Sequence, residues 1–276
     1  MKLLWCLPAL LCAVLATLSA ESVWAQEAAT AHKPKLGQKG KDVRWIPSAP
    51  NMVETMLDLA RVTPQDYVVD LGSGDGRNVI GAAKRGARAL GVEYDADLVE
   101  LSRRNAARAG VADKATFVKG DMYQADISQA TALALFLTPY NLIKLMPKFL
   151  ELKPGTRIVS NTYEIGGGWQ PDESKRVESC ERWCIAHLYI VPAQVEGTWR
   201  LREGELTLEQ EFQRLTGTYR IKGVTLPVEN GFVRGDEIRF TVAAAAYSGR
   251  VQGDSIHGMI FDHGIANTWS AKRRGD

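Results

Sequence analysis

A chain of 276 residues, 45% apolar and 24% charged, holds enough material for one large buried core and a second, smaller domain. Its formal net charge of +2 is unchanged by loss of the first 25 residues, because Lys2 and Glu21 cancel. No strongly basic surface follows from that balance, so nucleic acid is not expected as a partner.

The chain opens with "MKLLWCLPALLCAVLATLSAESVWAQ": one lysine, an apolar run from Leu3 to Ala20, and Val23-Trp24-Ala25 ahead of Gln26. This pattern predicts a signal peptide over residues 1–25, cleaved after Ala25, and export to a periplasmic or secreted location. The alternative is an uncleaved membrane anchor, with Lys33, Lys35 and Lys39 holding the rest of the chain inside. Residues 26–42 are polar and lysine-rich and read as a flexible linker. Order is expected from about Val43, and "APNMVETMLDLARV" places Met52, Val53, Met56, Leu57 and Leu59-Ala60 on one helical stripe, with Asn51 as cap.

From Asp66 strands and helices alternate. "DYVVDLG", "ALGVEYD", "ATFVKGDM", "ATALALFLT" and "TRIVSNTYEI" read as strands; "RNVIGAAKRGA", "DADLVELSRRNAARAG" and "PYNLIKLMPKFLEL" read as helices, the last kinked at Pro147. The fold class is therefore α/β, a Rossmann-like doubly wound and mostly parallel sheet over residues 43–195. After about Val191 the period becomes two, and residues 196–276 predict a small antiparallel meander; its first strand is open to either sheet. "IGGGWQPDES" reads as a mobile loop with Trp169 at its tip, Asp262-His263-Gly264 as a turn, and Lys272-Arg273-Arg274 as a solvated tail. Of four cysteines, Cys180 and Cys184 follow the leader. A disulfide and two free thiols both remain open, since an i, i+4 bridge is strained on a helix. No Cys or His stands at metal-ligand spacing, and no metal site is expected.

The chemistry centres on "VVDLGSGDGRN". A strand, a glycine turn and a helix aim unpaired backbone N–H groups at a ligand. In the dinucleotide fingerprint G-x-G-x-x-G the third glycine, counted from Gly72, would fall on Arg77; here it falls on Gly76. Glu93, ending the second strand, is placed to accept hydrogen bonds from ribose hydroxyls. Asp121 offers a carboxylate to an exocyclic amine, and Met122 an apolar face to a ring.

"VVDLGSGDGR", "GVEYD" and "GDM" resemble the motifs of class I S-adenosylmethionine-dependent methyltransferases, the seven-stranded kind, over Val43 to about Ala193. The resemblance implies S-adenosyl-L-methionine as cofactor, the Gly72-Ser73-Gly74 to Gly76 loop against its methionine part, Asp70 in support, Glu93 on the ribose, and Asp121 with Met122 flanking adenine. "RWIPSAPNMVETMLDLARV" more specifically resembles the protein-lysine methyltransferases acting on the mitochondrial adenine nucleotide carrier and the ATP synthase c subunit. In those a "PTP" element helps close the site, and Pro47-Ser48-Ala49-Pro50 matches it in part.

The implied activity is direct methyl transfer to an amine or other nucleophile on a protein or small molecule, a protein lysine among them. Thr138, Tyr140 and Glu164 are the catalytic candidates on the acceptor side, with Asn161 and Tyr163 beside them. Thr138-Pro139-Tyr140 keeps one proline and the aromatic of the adenine-methylating pattern, which counts against a DNA base. The competing reading is an exported binding protein that keeps the fold without turnover; the intact glycine loop favours the enzyme and the leader favours the binding protein. Membrane contact is expected only if the leader stays uncleaved.

Overall fold

The computed structural model describes residues 33–178 and 180–275. The leader expected over residues 1–25 lies outside them. Helix α1 (Pro50–Leu59) precedes β1 (Tyr67–Leu71), α2 (Arg77–Lys84), β2 (Arg88–Glu93), α3 (Ala96–Arg108) and β3 (Ala115–Lys119). Then follow β4 (Ala132–Leu135), α4 (Pro139–Leu150), β5 (Arg157–Asn161), β6 (Glu173–Arg176) and β7 (Ile185–Ile190). These strands form one seven-stranded sheet in the order β3-β2-β1-β4-β5-β7-β6. β3, β2, β1, β4 and β5 run parallel, and β7 lies antiparallel to both β5 and β6.

The strand composition explains the two layers. In β4, Ala132 and Ala134 point to the face covered by α1, α2 and α3, while Leu133 and Leu135 point to the face covered by α4. Small residues on one face let Met52, Met56 and Val79 approach closely, and larger ones fill the space under Leu142, Leu145 and Phe149. The α1 cap differs from expectation: Ala49 is the N-cap and Pro50 opens the helix, where the missing N–H costs nothing. α4 runs on through Pro147 to Leu150.

Beyond the sheet come β8 (Gly197–Leu201), β9 (Gly204–Glu211), β10 (Arg214–Ile221), β11 (Val224–Arg234) and β12 (Glu237–Val242), with β13 (Ala245–Gln252), β14 (Ser255–Asp262) and β15 (Ile265–Arg273). The meander is a closed antiparallel barrel, because β15 pairs back onto β8 through Ala271–Leu201 and Arg273–Trp199. β8 thus belongs to the barrel, and β7 and β6 complete the large sheet. Lys272 and Arg273 are not a solvated tail: both sit in the closing strand, with the Arg273 guanidinium 4.3 Å from the Trp199 ring centroid.

Alternate inward residues such as Leu206, Leu208, Ile238, Phe240 and Val242 fill the interior, together with Trp199, Tyr219, Tyr247 and Trp269. Burial pushes the Tyr247 hydroxyl up to about 12. The register shifts between Leu215 and Gly217, where a Cβ on Gly217 would stand 2.0 Å from the Thr207 carbonyl oxygen. Glycine there lets β9 approach, while the extra residue of the bulge lies opposite on β11, between Val228 and Gly231, where the sheet curls.

Two other segments depart from expectation. Trp169 is fully buried rather than a mobile tip, stacked on Phe212 of the barrel. Residues 37–45, of which 37–42 read in sequence as linker, fold back as a hairpin-like strap through Gly37 N–H to Trp45 O (2.9 Å), Trp45 N–H to Gln38 O (2.8 Å) and a Lys39–Arg44 bridge.

Candidate active site

The loop between β1 and α2 takes its shape from three left-handed glycines, Gly72 (φ 75°), Gly74 (φ 57°) and Gly76 (φ 84°). At Gly76 space is also short, since a Cβ would meet the Phe117 ring at 2.7 Å. The Gly72 and Ser73 N–H groups donate to Val92 O (2.8 and 3.1 Å), tying the loop to β2. Gly74 N–H donates to Glu93 Oε2 at 2.8 Å, so the carboxylate meant for a ribose also holds the loop, and its other oxygen accepts from Asp95 N–H (3.0 Å).

Behind the loop Asp70 is buried and accepts from Asn78 Nδ2 at 3.1 Å. Burial holds its carboxyl well above the usual carboxylate range, with the Asn78 hydrogen bond opposing. Arg77 pairs with Asp75 (2.5 Å) and donates to Ser48 O, and Asn161 Nδ2 donates to Ser48 Oγ at 3.0 Å. The Pro47–Pro50 element is thereby bolted to the glycine loop and to the end of β5.

These groups line an open cleft at the carboxyl ends of the parallel strands, bounded among others by Trp45, Ser48, Asp70, Glu93, Asp121 and Phe136. The strap roofs it: Lys41 Nζ pairs with Asp121 Oδ2 at 2.7 Å and lies 4.8 Å from the Tyr94 ring centroid. That contact raises the Lys41 ammonium and lowers the Asp121 carboxyl from their ordinary values. The carboxylate expected to meet an exocyclic amine is therefore engaged by the roof, while Met122 is buried beside it. Ser73 Oγ and Asn78 Oδ1, both on lining residues, are buried with no hydrogen-bond partner among the described residues. A cleft with Glu93 at one wall and unpaired polar atoms among its lining residues fits a polar nucleoside bearing an amino acid.

The acceptor-side candidates are dispersed. Thr138 caps α4 and shares a hydrogen bond with Asn141; Tyr140, in the first turn of α4, is 73% exposed and does not line the cleft. Glu164 is exposed. Asn161 is buried and committed to Ser48, and Tyr163 stacks on Phe136. Of the three aromatic rings that line the cleft, Trp45, Tyr94 and Phe136, the last is hidden in sequence in the apolar run that continues from β4; residues 37–42 of the strap likewise carry no motif.

A family model described as the ANTKMT methyltransferase domain matches residues 70–173. A protein-lysine N-methyltransferase of Saccharolobus islandicus (strain REY15A) is 40% identical over 152 residues, which is 54% of this chain and 94% of that protein. The chain belongs to this methyltransferase family. It is a class I, S-adenosylmethionine-dependent methyltransferase with an added C-terminal barrel. The Mus musculus lysine N-methyltransferase of the ATP synthase c subunit is 35% identical over 131 residues, 47% of this chain and 52% of that protein, so the chain spans about half the length of that methyltransferase. The crystal structure of an RNA methyltransferase from Salinibacter ruber, in complex with S-adenosyl-L-homocysteine, is 41% identical with a TM-score of 0.51, covering 54% of this chain and 96% of that one.

Proposed function

We propose that this methyltransferase acts on the side-chain amine of a protein lysine. The observation that carries the reading is the 40% identity to a protein-lysine N-methyltransferase across nearly that whole protein. The formal net charge of +2 supplies no strong basic excess for an RNA backbone, which supports a polypeptide acceptor.

S-adenosylmethionine, when bound, supplies a methyl group already activated on a sulfonium. The chain's own residues have four tasks. Glu93, Ser73 and Asn78 provide polar partners for the nucleoside and amino-acid parts. The strap from Gln38 to Trp45 sheds water from the cleft. The bolts Arg77–Ser48 and Asn161–Ser48 keep the Pro47–Pro50 element, and with it the approach of the acceptor, in line. Apolar walls such as Phe136 favour the neutral amine, whose proton passes to water before its lone pair forms the N–C bond. Such a reaction needs no triad, in keeping with the dispersal of Thr138, Tyr140 and Glu164. The test supplies methyl-labelled cofactor with a lysine copolymer or single-stranded RNA. Label in the lysine side chain is expected; label in RNA alone would overturn the reading.

The proposed location is export behind the cleaved leader, with the barrel as docking surface for the acceptor protein. The leader pattern supports this, and so does the bridge between Cys180 and Cys184, since disulfides persist in oxidising compartments. Among the described residues no helix is long and apolar enough to cross a membrane. N-terminal sequencing of the native protein should begin at Gln26; a start at Met1 would favour the anchor instead.

A further inference from the structure

We infer that Phe136, Tyr163 and Trp183 form the acceptor subsite: an aromatic wall that receives the lysine ε-amino group, with Trp183 held in it by the Cys180–Cys184 bridge. The inference rests on the amine-methylating reading above and adds the groups that select the amine.

The three rings come from three places that the topology brings to one edge. Phe136 follows β4, Tyr163 follows β5, and Trp183 stands just ahead of β7, whose first residues lie against the carboxyl end of β5 through Asn161–Ala186 and Thr162 N–H to Ile185 O (2.6 Å). Phe136 lines the cleft. Tyr163 stacks on it at 6.3 Å between centroids, and Trp183 meets it edge-on at 5.8 Å. All three are half-buried, and neither Phe136 nor Trp183 is part of the two cores of the large domain. Rings that pack a core are sealed; these keep surface open beside the cleft.

The backbone around them is held in forms that ordinary residues seldom adopt. Thr162 (φ 65°) and Trp183 (φ 58°) are both left-handed without being glycine. Thr162 is kept so by Ser160 Oγ–H to Tyr163 O (2.7 Å), by its own hydroxyl on Asn161 Oδ1 (3.0 Å) and by His187 at its carbonyl (3.2 Å). Trp183 is kept so by the loop that the disulfide closes over a separation of four residues, with Val177 N–H on Cys184 O (2.7 Å). Among the described residues the other ties of this loop to the rest of the chain are the Val177–Cys184 backbone bond and the Phe136–Trp183 ring contact, so the bridge decides whether the third wall is present.

Aromatic faces suit the chemistry of an amine that begins and ends charged. They attract the arriving ammonium and the methylammonium product, but less than the water they displace, so the proton is still given up to water in between. The neutral nitrogen's lone pair forms the new N–C bond, the electrons of the broken S–C bond remain on sulfur, and the positive charge moves to nitrogen facing the rings. The same wall accommodates nitrogens carrying one, two or three methyl groups.

The test uses the full chain saturated with S-adenosylhomocysteine. Nε-trimethyl-lysine, as its acetylated methylamide, and its uncharged neohexyl isostere are titrated separately, followed by NMR. The charged form should bind about tenfold more tightly than the isostere. Trp183→Leu should abolish that preference, Trp183→Phe should restore most of it, and Cys180→Ser/Cys184→Ser should lower it, all with the affinity for S-adenosylhomocysteine unchanged. Equal binding of the two probes, or a preference that survives Trp183→Leu, would overturn the inference. Equal binding of the two probes by the unmutated chain, with lysine methylation intact, strikes the wall alone. An intact preference with no lysine methylation supports the wall and strikes the proposed acceptor.

Discussion

The indole of Trp169 and the ring of Phe212 lie face to face, 5.8 Å between centroids and 1° apart in plane, across the boundary between the large sheet and the barrel. Trp169 also meets Tyr189 edge-on at 5.3 Å, and beside this stack Gln213 donates to Gln170 O (2.7 Å) and Arg234 pairs with Asp172 (3.2 Å). Trp169→Ala removes a fully buried side chain and should cost about 3–5 kcal/mol. Because the lost ring is the one shared by both domains, denaturant unfolding should split into two transitions, the earlier belonging to the large domain. A single transition at the wild-type midpoint would show that the stack carries no coupling.

Glu93 accepts from the Gly74 and Asp95 N–H groups, one on each carboxylate oxygen, and under the proposed function it also meets the cofactor ribose. Glu93→Gln keeps the shape but replaces a charged acceptor, so calorimetry should show S-adenosylmethionine binding weakened by roughly tenfold to a hundredfold. Thermal stability should fall slightly, because Gln can still accept from Gly74 but loses the acceptor for the Asp95 N–H. An unchanged affinity would place the ribose elsewhere.

Asp70 gives the opposite pairing of stability and binding. Its folded-state carboxyl lies well above the ordinary carboxylate value of 3.8, so the folded chain holds the proton more firmly than the unfolded chain does. The resulting stabilisation is fully present below about 3.8 and is lost as pH rises through the raised folded value. Asp70→Asn should therefore stabilise the cofactor-free protein at neutral pH and flatten its melting temperature against pH, while weakening cofactor binding. A variant less stable than wild type at neutral pH would refute the sign.

Lys41 and Asp121 close the roof with an exposed pair, which salt screens. Lys41→Ala should speed cofactor dissociation by roughly twofold to fivefold at low salt, with the difference shrinking as salt rises. Stopped-flow measurement of release at two ionic strengths checks it; identical rates would mean that the strap is held by Trp45 and its backbone bonds alone.

Sequence and structure agree where local pattern and local chemistry coincide. The glycine turn between β1 and α2 and the strand at Ala132–Leu135 are legible because a turn and a short apolar run each carry their own local signal. Trp169 and Arg273 mislead because their partners, Phe212 and Trp199, are distant in sequence. The strap resembles a linker since its order comes from backbone bonds and one ion pair to Asp121, neither of which leaves an apolar pattern. Phe136 is hidden for the reverse reason: an aromatic at the end of an apolar strand looks like core until the topology shows an open cleft beside it. The disulfide becomes plain only where β6 and β7, rather than a helix, bring Cys180 and Cys184 within 5.5 Å at their Cα atoms.

The barrel closes by joining β8 to β15, the first of its strands to the last. During synthesis the glycine loop, the sheet and the helices can assemble while most of the barrel is still unmade, but the ring has two raw edges until residues near Lys272 arrive. Any delay at that point leaves β8 and its neighbours as open templates for a second chain. The clasp of Ala271, Lys272 and Arg273 onto Leu201, Arg200 and Trp199 thus serves as a completion signal, separating a finished molecule from one that still invites its neighbours.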